Sequence, residues 1–293
     1  MKPVRRILLP VEFTPACQKA RDHAVALASL HGAELHILHV QLLHAGQSTL
    51  AGIPDVAGLE REVADANAAQ LATFIKGVEG NIVTAIERDI SAGPSILRYA
   101  EKHGIDLIVL GTHARKNISR LFMGSVAAEV VRHATVPVLV IGPKGGKTPG
   151  VYRRILAPQD FSEPALDALR QAGAMARQHD GTLSVLHAVD PDALPPYFNF
   201  VFSDATRALA RRLLEERVAA ADLGIPAETI VSVGPPDRCI ADHANDHAEE
   251  LVVVGQSGQS ALDRFLLGST AERVLRRAPC PVLVHCGPEV LAI

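Results

Sequence analysis

The stretch Arg6-Ile7-Leu8-Leu9-Pro10-Val11-Glu12-Phe13-Thr14 returns in the second half of the chain as Arg154-Ile155-Leu156-Ala157-Pro158-Gln159-Asp160-Phe161-Ser162. Each copy is an apolar run that meets a proline, a carboxylate, a phenylalanine and then a hydroxyl residue. That order reads as a buried strand, a turn and the start of a helix. Working outward, Leu38-His39-Val40 returns as Leu186-His187-Ala188, and Ile90-Ser91-Ala92-Gly93-Pro94 as Val231-Ser232-Val233-Gly234-Pro235. Asp106-Leu107-Ile108-Val109-Leu110-Gly111 matches Glu250-Leu251-Val252-Val253-Val254-Gly255. Gly124-Ser125 matches Gly268-Ser269, and Val136-Pro137-Val138-Leu139-Val140 matches Cys280-Pro281-Val282-Leu283-Val284. Matches in one order along both halves make the chain a tandem duplication. The expected domains are 1–142 and 151–293, joined by a linker at 143–150, Pro143-Lys144-Gly145-Gly146-Lys147-Thr148-Pro149-Gly150, which has no apolar period.

Strands are expected at 5–11, 34–40, 82–88, 106–111 and 136–141, and again at 153–159, 182–188, 228–233, 250–255 and 280–285. Several are continuous apolar runs, as strands covered on both faces must be. Amphipathic helices lie between them, the first of each half over 16–30 and 164–178, with Thr14 and Ser162 as expected N-caps. Strand–helix alternation predicts an α/β fold with two doubly wound domains, each a five-stranded parallel sheet of Rossmann-like or flavodoxin-like order. In such sheets a ligand lies past the carboxyl ends of the strands where the strand order reverses, which directs attention to the loops after strands one and four. The last strands, 136–141 and 282–285, would each be a sheet edge, and in a tandem chain the two edges can pair as a pseudo-dimer.

After strand four of the second half come Gly255-Gln256-Ser257-Gly258, nine residues, and then Gly268-Ser269-Thr270 opening a helix to about Arg277. Glycine off a strand lets backbone approach a ligand, and a helix N-terminus with hydroxyls offers N–H donors and the positive end of the dipole to an anion. The bland alternative for the same residues is a tight turn and a helix cap. The spacing G-x-x-G-x₉-G-[S/T], the opening I-L-x-P-x-[D/E]-F-[S/T] and the L-H-V second strand resemble the universal stress protein family, over nearly the whole chain twice. This resemblance implies an adenine nucleotide alpha hydrolase-like fold that binds ATP, or a related ADP or AMP, rather than turning it over strongly, with Mg²⁺ as an optional companion. In the second half it assigns the adenine-side carboxylate to Asp160, the adenine wall to Ala188, and the ribose and phosphate glycines to Gly255, Gly258 and Gly268. The hydroxyl falls on Ser269 with Thr270 adjacent, and Pro158 and Val254 flank the site. The corresponding weaker set in the first half is Pro10, Glu12, Val40, Gly111, Gly124 and Ser125.

The halves depart from each other at several of these positions. Ala114 stands where Gly258 stands, which costs about 1 kcal/mol if the position needs φ > 0 and otherwise crowds the phosphate. Glu12 replaces the aspartate and lengthens the carboxylate by one methylene. Val40 is the better adenine wall, and Arg115, Lys116 and Arg120 give the first half more local charge than Arg264 alone gives the second. Glycine geometry therefore favours the second half and charge the first.

The remaining features bound the function. Of 293 residues 48% are hydrophobic and 21% charged, with a formal net charge of −3, which argues against a nucleic-acid or anionic-membrane binder. No run approaches the roughly 18 apolar residues of a membrane span, and Met1 to Arg6 leads directly into a strand without a secretory signal. Cys17, Cys239, Cys280 and Cys286 form no C-x-x-C pair, so reduced thiols and a cytoplasmic location are expected. His39 and His187 are equivalent strand residues with a structural role, and His31, His36, His44 and His113 form no ligand spacing. His243 and His247 at i, i+4 have a zinc-compatible spacing but lack the H-E-x-x-H pattern, so no metal site is assigned. Tyr197-Phe198-Asn199-Phe200-Val201-Phe202 reads as a cover over the sheet or a contact surface, with a gating flap as the sharper alternative. There is no Walker lysine and no nucleophile–base pair, so no catalytic residue is assigned. The function expected is a nucleotide-binding stress or signalling protein that forms a pseudo-dimer and, as a chain, a homodimer. A slow ATPase or autophosphorylation on Ser269, and a scaffold with decayed sites, are the alternatives.

Overall fold

A computed structural model of the chain describes residues 1–43, 56–112, 123–145, 149–191, 204–258 and 267–293, with main chain only at 56, 57, 59 and 60. In the first half the elements are β1 (Lys2–Pro3), β2 (Arg6–Val11), α1 (Pro15–His31), β3 (Glu34–Leu42), α2 (Val56–Phe74), β4 (Ile82–Asp89), α3 (Ala92–Lys102), β5 (Leu107–Gly111), α4 (Ser125–His133) and β6 (Val138–Ile141). The second half runs β7 (Arg154–Pro158), α5 (Glu163–Gln178), β8 (Thr182–Val189), α6 (Asp204–Ala221), β9 (Glu228–Val233), α7 (Pro236–Asp246), β10 (Leu251–Gly255), α8 (Ser269–Arg277), β11 (Val282–His285) and β12 (Leu291–Ala292). Every expected strand is present.

Ten strands form one sheet in the order β4-β3-β2-β5-β6-β11-β10-β7-β8-β9. Within each half the strands run parallel in the order third, second, first, fourth, fifth, which is the Rossmann half-order rather than the flavodoxin one. The last strand of each half is the edge of its own five strands, and the two edges pair with each other as expected: β6 and β11 meet antiparallel at the centre of the sheet, Val138 opposite Val284 and Val140 opposite Val282. All eight of their residues are buried, and among the described residues the outer edges of the joined sheet are β4 and β9. The continuous apolar strands divide between two cores, one on each face. Ile7 and Leu9 pack with Leu27, Leu71, Leu169 and Leu214, whereas Leu8 and Ile108 pack with Ile96, Val130, Ile240 and Val274.

Two features depart from the sequence reading. The Gly/Pro/Lys segment between the halves is tied down on α1: the Tyr152 hydroxyl donates to His23 Nδ1 at 2.8 Å, and His23 Nε2–H donates to the Gly145 carbonyl at 2.6 Å. Lys19 also donates to the Pro143 carbonyl. A polar composition signals a loop but not whether that loop packs. The second is a small parallel sheet of β1 with β12, too short to carry a periodicity. Buried Gln171 holds it through both amide atoms, donating to Leu291 O at 3.0 Å and accepting from Leu291 N at 2.7 Å. No helix among the described residues is long and apolar enough to cross a membrane. The aromatic segment 197–202, the linker residues 146–148, Ala114, Arg115, Lys116, Arg120 and Arg264, and His44 and His113, lie outside the described residues.

Candidate functional site

The switch point shows in the pairing registers. β7 pairs with β10 only at Leu251–Ile155 and Val252–Leu156, although β7 stays paired with β8 to Pro158 and β10 with β11 to Gly255. The two strands therefore part near their carboxyl ends and open a crevice, and β2 and β5 part in the same way beyond Leu8 and Ile108.

One wall is the loop after β7. Phe161 adopts φ 65° and its counterpart Phe13 φ 57°, a left-handed conformation that costs a bulky residue roughly 1–2 kcal/mol. The same device holds both. His187 donates from Nδ1 to the Gln159 carbonyl at 2.8 Å and lies 4.5 Å from the Phe161 ring; His39 donates to the Val11 carbonyl at 3.0 Å and lies 4.6 Å from Phe13. This is the structural role expected of the two strand histidines. The strained turn projects Asp160 and Glu12 outward at the mouth, both exposed. Asp160 Oδ1 accepts from Ser162 N at 3.0 Å and Ser162 Oγ at 2.6 Å, and the Ser162 oxygen in turn accepts from Ala165 N. Ser162 thus caps α5, but Thr14 does not cap α1. Its hydroxyl lies 3.4 Å from Cys17 Sγ, a partner that the second half replaces with Ala165.

The facing wall is the loop after β10 and the start of α8. Gly258 has no positive φ, so the strain option for this position is set aside in favour of crowding. A Cβ there would lie 2.6 Å from Asp160 Oδ2, and a Cβ on Gly268 would lie 3.5 Å from Gly258 N. Asp160, Gly258 and Gly268 therefore converge, as the resemblance implies for its acid and two of its glycines. Gly255 and Gly111 carry a second, packing reason for being glycine: a Cβ would lie 2.7 Å from the Pro164 carbonyl oxygen or the Ala16 carbonyl oxygen, both backbone atoms at a helix start. Val254 is buried in the core, which leaves only its main chain for a ligand. Pro158 and Ala188 are half-buried at the ends of β7 and β8, as are Pro10 and Val40 in the first half.

Gly268 places no side-chain cap on α8, and helix geometry leaves the Ser269, Thr270 and Ala271 N–H groups without intrahelical acceptors. The Gly268 N–H is not free, since it donates to the Gln256 carbonyl at 2.9 Å. One residue of this wall escaped the sequence reading. Arg273, one turn after Ser269, donates to Ser269 Oγ at 3.3 Å and to Ser269 O at 3.1 Å. Buried Asp237 holds it from behind, 3.8 Å from Arg273 Nη1 and 2.6 Å from Arg277 Nε. Counted from Gly124 and Gly268, Arg273 corresponds to Glu129, whose carboxylate packs on Gly93 at the start of α3. Gly124 and Ser125 open α4 as Gly268 and Ser269 open α8, but with a carboxylate where α8 has a guanidinium. On the two described helices charge favours the second half. The i+4 spacing from Ser269 was the available signal for Arg273.

The zinc-compatible pair lies side by side. The His243 and His247 rings stack 4.0 Å apart, and His247 Nδ1 is spent on the His243 carbonyl at 3.1 Å. Among the described residues no three His, Cys, Asp or Glu side chains gather as a metal would need.

Comparison with known proteins gives the same architecture. The universal stress protein family profile matches residues 3–142 and again 151–285. A universal stress protein of Methanocaldococcus jannaschii is 30% identical over 147 residues, covering 47% of this chain and 85% of the relative. The crystal structure of a universal stress protein from Archaeoglobus fulgidus superposes with a TM-score of 0.71 at 22% identity, over 97% of this chain and 98% of that one. A universal stress protein solved in complex with cAMP matches 46% of this chain and 98% of its own at 26% identity, with a TM-score of 0.36. The chain belongs to the universal stress protein family, as a member with two such domains in tandem.

Proposed function

We propose that the second half binds an adenine nucleotide, ATP or a close relative, in the crevice between β7 and β10, and that the chain acts in a cytoplasmic stress response through this binding rather than through turnover. The observation that carries the reading is the convergence of Asp160, Gly258 and Gly268 in front of an uncapped helix start. Both glycines are positions where a side chain would fill the space, and the Ser269 and Thr270 N–H groups and the Arg273 guanidinium match a phosphate chain. Asp160 faces the opposite wall, where it suits a hydroxyl or amine of the nucleoside; Ala188 leaves room beside it. Mg²⁺, where bound, would neutralise phosphate charge, with the Asp160 carboxylate and the Ser269 and Thr270 hydroxyls as the side-chain oxygen ligands that these residues offer. The first half carries the same turn but sets Glu129 against the phosphate position, so it is the weaker site. A homodimer would use the edges β4 and β9 or the helical faces, because β6 and β11 are already paired.

Titration of ATP into the purified chain should show saturable binding. Arg273→Glu, which copies the first half, should weaken it by about tenfold, roughly 1.4 kcal/mol. Unchanged affinity in that variant would remove Arg273 from the site, and no binding by the unaltered chain would overturn the function.

A further inference from the structure

We propose that Gln256 couples the nucleotide loop of the second half to α4 of the first, so that occupancy of one site is felt at the other. The proposal rests on the nucleotide reading above. Gln256 follows Gly255 directly, and its main chain belongs wholly to the second half: its N–H donates to His285 O at 3.1 Å and its carbonyl accepts from Gly268 N at 2.9 Å. Its side chain belongs to the other half. Nε2 lies 2.9 Å from Val131 O, 3.1 Å from Arg132 O and 3.2 Å from Ala134 O, at the C-terminal end of α4. A helix leaves its last carbonyls without partners, and here one amide from the opposite half fills that need. The N-terminal end of the same helix, about 14 Å away, carries Gly124 and Ser125, the first half's own candidate phosphate position.

Pseudo-symmetry offers a second such link, and Thr112, the residue in the corresponding place, does not make it. The counterpart of Gln256 is Thr112, whose hydroxyl turns to Ile141 O of its own half at 3.4 Å. Between Thr112 and the end of α8 at Leu275, Arg276 and Ala278 remains a void of about 10 Å³, room for roughly one water. Among the described residues the Gln256 amide bridges one loop to the other half's helix, and Thr112 makes no matching link. A nucleotide that orders Gly258 and Gly268 also fixes the Gln256 carbonyl, which Gly268 N–H holds. The Gln256 side chain then spends more time on the α4 carbonyls, and the end of that helix frays less.

Hydrogen exchange on the full chain, with and without ATP, reads both ends separately. In the unaltered protein ATP should slow exchange at 267–277, and also at 127–134 by about fivefold, the lower end of usual coupling. Gln256→Ala should keep the first effect and lose the second. Gln256→Lys, which restores a donor and sets a cation at the helix end, should recover it. Protection of 127–134 that survives in Gln256→Ala, or protection confined to 267–277 in the unaltered chain, overturns the coupling. No protection at either segment overturns the nucleotide reading, and the coupling with it.

Discussion

Gly258→Ala separates the two reasons a loop glycine can matter. The position has no positive φ, so alanine meets no backbone strain, but its Cβ would lie 2.6 Å from Asp160 Oδ2. Ordinary contact begins near about 3.4 Å, so the carboxylate must retreat by roughly 0.8 Å. Asp160 is exposed and its other oxygen is tethered to Ser162 N and Oγ, at 3.0 and 2.6 Å. Water can replace what the movement breaks, which limits the cost to about one hydrogen bond, ~1 kcal/mol. For a chain of this size that is a melting shift of only a few degrees. Binding should suffer more, because the carboxylate leaves the crevice mouth and the methyl occupies the approach of the ligand. A loss of at least tenfold in ATP affinity is expected, by calorimetric titration at fixed salt. Thermal melts without nucleotide give the stability half of the comparison. An affinity within threefold of the unaltered chain would refute the reasoning, and so would a stability loss above about 3 kcal/mol.

Other perturbations test neighbouring parts of the account. Gly255→Ala places its Cβ 2.7 Å from backbone atoms of Pro164, which cannot step aside as a side chain does, so it should destabilise by about 1–3 kcal/mol by denaturant titration. Gly111→Ala, against the Ala16 carbonyl, should do the same in the first half. Stability should also fall in mild acid. Burial lowers the pKa of His23, His179 and His285 below the ordinary 6.5, against smaller opposing contributions from Gly145 and Asp22, from Ile293, and from Asp167 and Gly287; Arg153 reinforces the shift at His179. Below pH 6.5 the unfolded chain takes up protons that the folded chain refuses. The unfolding free energy should therefore drop by up to about 1.4 kcal/mol per pH unit for each of these histidines until its own folded pKa is reached. A denaturation midpoint flat between pH 7.5 and 5.5 would contradict this.

How far the sequence could be read depends on the range of the signal. The strands and the duplication were legible because buried parallel strands are continuous apolar runs, and because Gly-Pro, Gly-Ser and the carboxylate–phenylalanine–hydroxyl turn recur in register. Spacing marks Gly258 and Gly268, the family resemblance marks Asp160, and the structure brings the three together. The pairing of β6 with β11 is expected of two apolar edges in one chain, whereas its antiparallel direction and the single sheet it makes are not, since an apolar terminal strand shows that it needs a partner and not which way the partner runs. The left-handed Phe13 and Phe161 were illegible because no propensity favours that conformation for phenylalanine. It is imposed by histidines one strand away. Arg273 and Gln256 were missed for a related reason. Both side chains act across elements, on Ser269 and Asp237 in one case and on the far half's α4 in the other.

Nucleotide binding in the second half is tested most directly by denaturing freshly purified chain, identifying any released nucleotide by mass spectrometry, and then measuring the ATP stoichiometry of the stripped protein. An adenine nucleotide and one strong site per chain are expected, the site lost when Gly268 is changed to valine and retained when Gly124 is. No nucleotide on the purified chain together with no binding on titration, or a strong site that follows Gly124 instead, would contradict it.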